Sequence, residues 1–80
     1  MRIDKFLKVS RLVKRRTVAK EMADQGRIKV NDRVVKSSYD VKLGDVIEVG
    51  YGTKQIKAKV TDIRDTTKKA EASDLYEIID

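Results

Sequence analysis

Eighty residues without cysteine or histidine exclude a disulfide framework and a cysteine metal site, and remove the commonest general base and metal ligand of enzymes. Apolar runs stop at two residues and the start "MRIDKFLK" has no apolar stretch, so neither a membrane span nor a secretory signal is expected and the setting is cytoplasmic. The net charge of +6 is uneven: residues 1–36 carry 12 basic and 4 acidic side chains, residues 37–80 carry 7 and 9, an asymmetry that points to a polyanion-binding face.

The first element is expected to be a helix from Ile3 to about Ser10, because Ile3, Phe6 and Leu7 fall at i, i+3 and i+4 and share one face. Arg2, Lys5, Lys8 and Arg11 recur every third residue and wind around the other side. "LVKRR" then serves as a connector. A second helix is expected from near Arg16 to Gln25, with Val18 and Met22 stacked at i, i+4 and Ala19 and Ala23 beside them, the alanines leaving room for the first helix. Gly26 stands where a helix end favours positive φ. The start of this helix is poorly capped: behind Thr17, Lys20 replaces the Glu or Gln of a capping box, and a cap at Arg15 has no short oxygen side chain.

From Arg27 the period changes to two, with Ile28 and Val30 on one face and Arg27, Lys29 and Asn31 on the other. Asn31-Asp32 is a hairpin turn and "RVVK" the returning strand. A turn at Gly44-Asp45 leads to a strand over Val46–Val49, and Gly50 and Gly52 flank Tyr51 before a turn at Thr53-Lys54. "QIKAKVTDIR" alternates Ile56, Ala58 and Val60 against Lys57, Lys59 and Thr61. "TTKKAEAS" reads as one or two helical turns. "DLYEII" reads as a strand or extended tail whose Leu75 and Ile78 cover the core. The expected fold is α+β: two N-terminal helices packed on a small, mostly antiparallel sheet, with a short helical and extended C-terminal tail.

The order "RIDKFLKVSRLVKRRTVAKEMADQGRIKVND" followed by "VKLGDVI" resembles the alpha-L RNA-binding motif, named after the fourth protein of the small ribosomal subunit. Its opening Arg-(Leu/Ile)-Asp-Lys-hydrophobic-Leu is matched by Arg2 to Leu7, and its Ser-Arg and basic turn by Ser10 to Arg16. The Gly and Val-x-Val-Asn that follow its small-residue helix are matched by Gly26 to Asn31, and its closing Val-x-x-Gly-Asp-x-Ile by Val41, Gly44, Asp45 and Ile47. Among stand-alone members of this class, "DKFLKVSRLVKRRTVAKE", "ADQGRI" and "DTTKKAEA" with "LYEII" are most similar to the small bacterial ribosome-quality-control P proteins. Related heat-shock proteins that recycle stalled large subunits are longer and carry a basic C-terminal extension not found here. One departure is Asn31-Asp32 where the family usually has Asn-Gly. Asp enters the left-handed region less readily than Gly, which leaves the turn type open.

The resemblance implies one RNA-binding domain over residues 1–80, with its core motif over about 1–50 and a strand hairpin and tail over 51–80. It implies binding to the large ribosomal subunit, through large-subunit rRNA and tRNA, when that subunit still carries peptidyl-tRNA after a stalled ribosome has split. It also implies support for C-terminal alanine tailing by a partner elongation factor of the RqcH type. A monomer without cofactor is expected. The alternatives are a heat-shock-type large-subunit recycling factor and a general structured-RNA-binding protein.

The residues themselves supply a mechanism for RNA binding. Arg11, Lys14, Arg15 and Arg16 crowd the start of the second helix, where cations oppose the macrodipole. Phosphate placed between them and the helix N–H groups reverses that penalty. Arginine grips phosphate bidentately or stacks on a base, so Arg2, Arg16, Arg11 and Arg15 rank first and Lys5, Lys8, Lys14 and Lys20 second. Arg2 and Arg16 are carried over from the motif. Asp4 is expected to orient a neighbouring arginine or cap the first helix. Gly26 and Gly44 serve the backbone, Phe6 the core, and Tyr39 and Tyr51 packing, with base stacking as the second role of each tyrosine. The mechanism requires Arg2 and Arg16 on one side of the molecule and not tied up in internal carboxylate pairs. An enzyme would require a nucleophile with an adjacent base or paired carboxylates in a pocket; His and Cys are absent, the glycines form no phosphate loop, and no catalytic role is expected. The acids Asp40, Asp45, Glu48, Asp62 and Asp65 offer a second surface for a protein partner or, more simply, for solvent.

Overall fold

The structure, a computed structural model, describes residues 1–65 and 68–79. Helices α1 (Ile3–Val9) and α2 (Arg16–Asp24) precede strands β1 (Ile28–Val30), β2 (Arg33–Val34), β3 (Val46–Tyr51) and β4 (Lys54–Val60). A 3-10 segment (Lys69–Leu75) and β5 (Tyr76–Ile79) follow. The strands form one antiparallel sheet in the order β2-β1-β3-β4-β5. Ile28 pairs with Val49 and Val30 with Ile47, and Ile47 pairs with Ala58, so these side chains share the inner face.

That face meets the apolar stripe of the helices in one core. Ile3, Phe6 and Leu7 of α1 are fully buried, as the i, i+3, i+4 spacing requires, together with Ile28, Ile47, Val49 and Leu75. Each such side chain stabilises the fold by about 1.5–3 kcal/mol through burial. Helix α2 buries Ala19, Met22 and Ala23, whereas Val18 is 40% exposed and does not stack into the core with Met22. At 3.6 residues per turn the stripe Ala19–Met22–Ala23 is centred on Ala19, and Val18 lies about 100° away from it. The small alanines set which face packs against α1.

The hairpins follow their turn residues. Lys29 pairs with Val34 and Val30 with Arg33, leaving a two-residue loop in which Asn31 (φ 52°) and Asp32 (φ 68°) are both left-handed. This is the primed turn that Asn-Gly would give, so the departure from the family pattern does not change the turn. Asp32→Gly is expected to stabilise the fold by about 0.5 kcal/mol, because glycine meets no steric penalty at that φ. A higher urea midpoint at unchanged slope checks it. Tyr51 pairs with Lys54, so β3 runs through Gly50 to Tyr51 and the turn is Gly52-Thr53 rather than Thr53-Lys54. Gly52 (φ 56°) takes the left-handed position.

At the C-terminal side, Leu75 is buried as expected, but Ile78 is 53% exposed. Among the described residues, strand β5 is a sheet edge paired with β4 alone, so Ile78 opposite Ala58 sits at the margin of the core. The "TTKKAEAS" stretch contains a 3-10 segment from Lys69; Thr66 and Thr67 lie outside the described residues.

Among the described residues, no helix is long and apolar enough to cross a membrane. The five acids considered as a second surface are all engaged within the chain. Asp45 is buried and accepts hydrogen bonds from the Tyr39 hydroxyl (2.9 Å), the Lys42 N–H (3.0 Å) and the Asn31 amide (3.2 Å). That bond from Tyr39 holds its phenol above the ordinary value of 10.0. The protonated phenol therefore stabilises the fold below pH 10.0, and its contribution is lost as pH rises through the raised value. Glu48 pairs with Lys57 (3.3 Å), Asp62 with Arg64 (2.7 Å), Asp65 with Lys5 (3.3 Å) and Asp40 with the Met1 ammonium (2.7 Å). The ammonium's hydrogen bond and charge hold the Asp40 carboxyl below its usual range.

Candidate nucleic-acid interface

Helix α1 is set in place by the segment before β3. Arg2 bridges Asp40 in a short antiparallel contact, and the N–H groups of Ile3 and Asp4 donate to the carbonyls of Tyr39 (2.8 Å) and Ser37 (3.3 Å). Two of the N–H groups that a helix start leaves unpaired are thereby satisfied by backbone. A third, from Lys5, donates to Asp4 Oδ1 at 2.8 Å. Asp4 thus serves the first turn from within it and is itself buried.

The same carboxylate organises the site. Arg2 Nη2 lies 3.3 Å from Asp4 Oδ2, and Arg16 Nη2 lies 3.4 Å from Asp4 Oδ1. Two guanidiniums, one before α1 and one at the first position of α2, therefore flank one buried carboxylate on the same side of the molecule. Contrary to the expectation that they stand free of internal carboxylates, both arginines pair with Asp4. Two cations share one anion, leaving a charge of +1, and the side chains of Arg2 and Arg16 are 50% and 48% exposed. Each guanidinium has five N–H donors; Asp4 accepts one from Arg2 and lies within ion-pair distance of Arg16, so it occupies only a part of either. What remains is a pair of half-exposed donor sets of the kind suited to phosphate.

The other predicted cations spread out from this fork. Lys20 stands one helical turn beyond Arg16, on its side of α2. Arg11, Lys14 and Arg15 occupy the turn between α1 and α2 and are exposed. Lys5 is drawn toward Asp65 in an exposed pair of the kind worth little in water. Lys8 is exposed in the last turn of α1, where a cation complements the macrodipole, and no contact ties it to the fork. Lys36, not singled out by the sequence, lines the same surface groove as Arg2; the signal was absent because the bridge from Arg2 to Asp40 joins segments far apart in the chain. Residues 1–20 hold eight cations and one carboxylate, so this end of the molecule is strongly positive. The N-cap of α2, Arg15, makes no side-chain cap bond and the first turn has no acid, so the first N–H groups of the helix add to that potential.

Arg11 carries a backbone cost. Its φ is +62°, the left-handed region that disfavours a residue with a Cβ by roughly 1–2 kcal/mol, and it follows the α1 C-cap Ser10 where glycine is usual. Strain of this kind collects at functional positions. Arg11→Gly is expected to raise stability by about 1 kcal/mol, a melting shift of about 4–8 °C for a domain of this size. The same change is expected to weaken RNA binding and lower its salt slope by about one. Thermal melts and RNA titrations of one variant check both.

The fold and site define a class. A family model described as the S4 domain matches residues 1–47, the span from the Arg2 bridge through α1, α2 and β1 into β3. The chain is 57% identical over 79 residues to the RQC P-site tRNA stabilizing factor of Streptococcus pneumoniae, covering 99% of this chain and 90% of that one. It is equally 57% identical to the factor of that name in Bacillus subtilis, over 99% of this chain and 92% of that one. A solved structure described as trimeric Vibrio cholerae Heat Shock Protein 15 superposes with a TM-score of 0.92 at 29% identity, over 99% of this chain and 81% of the other. The chain belongs to the RQC P-site tRNA stabilizing factor family, within the S4-domain class.

Proposed function

We propose that this chain grips structured RNA with the Arg2–Asp4–Arg16 fork and the flanking cations Lys5, Lys8, Arg11, Lys14, Arg15 and Lys20. The RNA is large-subunit rRNA together with tRNA, on a large ribosomal subunit that still carries peptidyl-tRNA after splitting. The chain acts as a monomeric cytoplasmic binding protein over residues 1–80, without catalysis or cofactor. It holds the tRNA while an elongation factor of the RqcH type adds alanine to the stalled nascent chain. The observation that carries this reading is the pair of half-exposed guanidiniums held by one buried carboxylate in a chain 57% identical to factors named for stabilising P-site tRNA. A-form RNA offers phosphates and 2′-hydroxyls more readily than base edges, and a fixed fork recognises their spacing without reading sequence.

Sucrose-gradient sedimentation of cell extracts tests it. The expected result is co-migration with free large subunits that contain peptidyl-tRNA. Likeness to Heat Shock Protein 15 favours a second reading, large-subunit recycling, for which the protein would travel with subunits irrespective of tRNA. Sedimentation with neither, but with free RNA, would remove the ribosomal assignment.

A further inference from the structure

Between the α1–α2 turn and the end of β3 lies a groove that the fork does not use. Val13, Val18 and Tyr51 line it together with Lys14 and Arg15. Its volume is about 430 Å³, within the roughly 300–1,000 Å³ of sites that hold small organic groups. Tyr51 is half-buried, and its hydroxyl donates to the carbonyl of Leu12, which pins the ring against the turn. Burial pushes its phenol up, so the ring stays neutral. Val18, turned away from the core, adds an aliphatic wall. Lys14 and Arg15 have no carboxylate partner among the described residues, and the uncapped start of α2 lies beside them.

An apolar slot with one held aromatic ring, edged by unpaired cations, matches a group that is flat and apolar at one end and anionic at the other. The groove reaches Arg15, the residue before Arg16 of the fork. We infer that this groove takes one unstacked base of the bound RNA, packed against Tyr51 and Val18, with its phosphate on Lys14 and Arg15. The inference rests on the RNA-binding reading above and adds a requirement to it: the preferred RNA is a helix interrupted by an unpaired nucleotide. Stacking on an aromatic side chain suits any base, since every base has a π-face, so the groove selects for an extruded nucleotide and not for its identity.

The test uses the full chain and three RNA hairpins of one sequence: a continuous stem, a stem with a single bulged adenosine, and that bulge made abasic. The bulged hairpin is expected to bind about tenfold more tightly than either of the others. Tyr51→Leu and Val18→Gln are each expected to remove that advantage while leaving the affinity for the continuous stem unchanged. The second variant is needed because Tyr51→Leu also removes the bond to Leu12. Glutamine at an exposed third position of α2 is a better helix former than valine, so that variant keeps the fold. With 2-aminopurine in the bulge, fluorescence quenching on binding is expected for the natural chain and lost in both variants. Equal affinity for the bulged and abasic hairpins, with stem binding intact, overturns the groove and leaves the fork standing. Failure to bind any of the three overturns both. Saturable binding of an acidic peptide that depends on Tyr51, with no preference among the RNAs, assigns the groove to a protein and overturns its RNA role.

Discussion

Arg16→Ala is expected to weaken binding to structured RNA by roughly ten- to a hundredfold. A hydrogen bond from a charged donor contributes about 1.5–3 kcal/mol, and tenfold in affinity is 1.4 kcal/mol. The change also leaves Asp4 with a single cationic neighbour, so the site turns from a charge of +1 to neutral. Titrations at several salt concentrations are expected to show a slope reduced by about 0.7–0.9, one phosphate contact fewer. Folding stability is expected to move little, because the lost pair is half-exposed and such pairs contribute about 0–1 kcal/mol. Arg2→Ala is expected to behave alike. The double variant is expected to lose less than the sum of the two, since both side chains act through one carboxylate and are coupled. Arg16→Lys keeps the charge but not the planar fork, and its loss is expected to fall between the natural protein and the alanine variant.

The second large effect separates positioning from charge. Asp4→Asn raises the net charge from +6 by one unit. If overall positive potential were the whole basis of binding, this variant would bind RNA more tightly. The geometry predicts the opposite. Asp4 accepts from Arg2 and from the Lys5 N–H, and lies 3.4 Å from Arg16. An amide in its place presents one oxygen and a donor that faces a guanidinium. Both forks then lose the anion that directs them and repel each other across the gap. RNA affinity is expected to fall about fivefold, roughly 1 kcal/mol, with the salt slope undiminished because no cation has been removed. Stability is expected to fall by about 1–3 kcal/mol, the range for a charge-assisted bond removed from a buried acceptor. Urea denaturation and RNA titration of the one variant read the two effects separately. Tighter binding by Asp4→Asn would show that the carboxylate only dilutes the charge.

Much of this arrangement can be read from local spacing. Ile3, Phe6 and Leu7 declare the buried side of α1, and Ile28 and Val30 the inner face of β1. Asn31-Asp32 keeps the primed turn because both residue types tolerate the left-handed region better than most. The charge bias of residues 1–20 marks the basic end of the chain, where Arg2 and Arg16 meet Asp4. What escapes is set by contacts between distant segments. Val18 fits a helical stripe as well as Met22 does, and only the packing of Ala19 and Ala23 against α1 decides which of them is inside. Ile78 alternates correctly but lies on an edge strand at the margin of the core. Arg11 gives no local warning of its positive φ, which follows from the route of the chain between the two helices. Asp4, an acid amid cations, is legible as a partner for a neighbouring arginine, as it is for Arg2; that it also meets Arg16 is not. Its position between two guanidiniums depends on α1 and α2 lying side by side, a fact of packing more than of pattern.

The proposed function rests on one structural relation: a buried carboxylate lies between two half-exposed arginines in the most basic part of the chain. Photo-crosslinking of the protein to its particle in cells, with the RNA sequenced and the crosslinked peptides identified, tests that relation most directly. The account predicts large-subunit rRNA together with tRNA, attached to peptides from residues 2–20. Crosslinks concentrated on the outer face of the sheet, at Lys29, Lys57 or Lys59, or spread over unrelated RNAs, would contradict it.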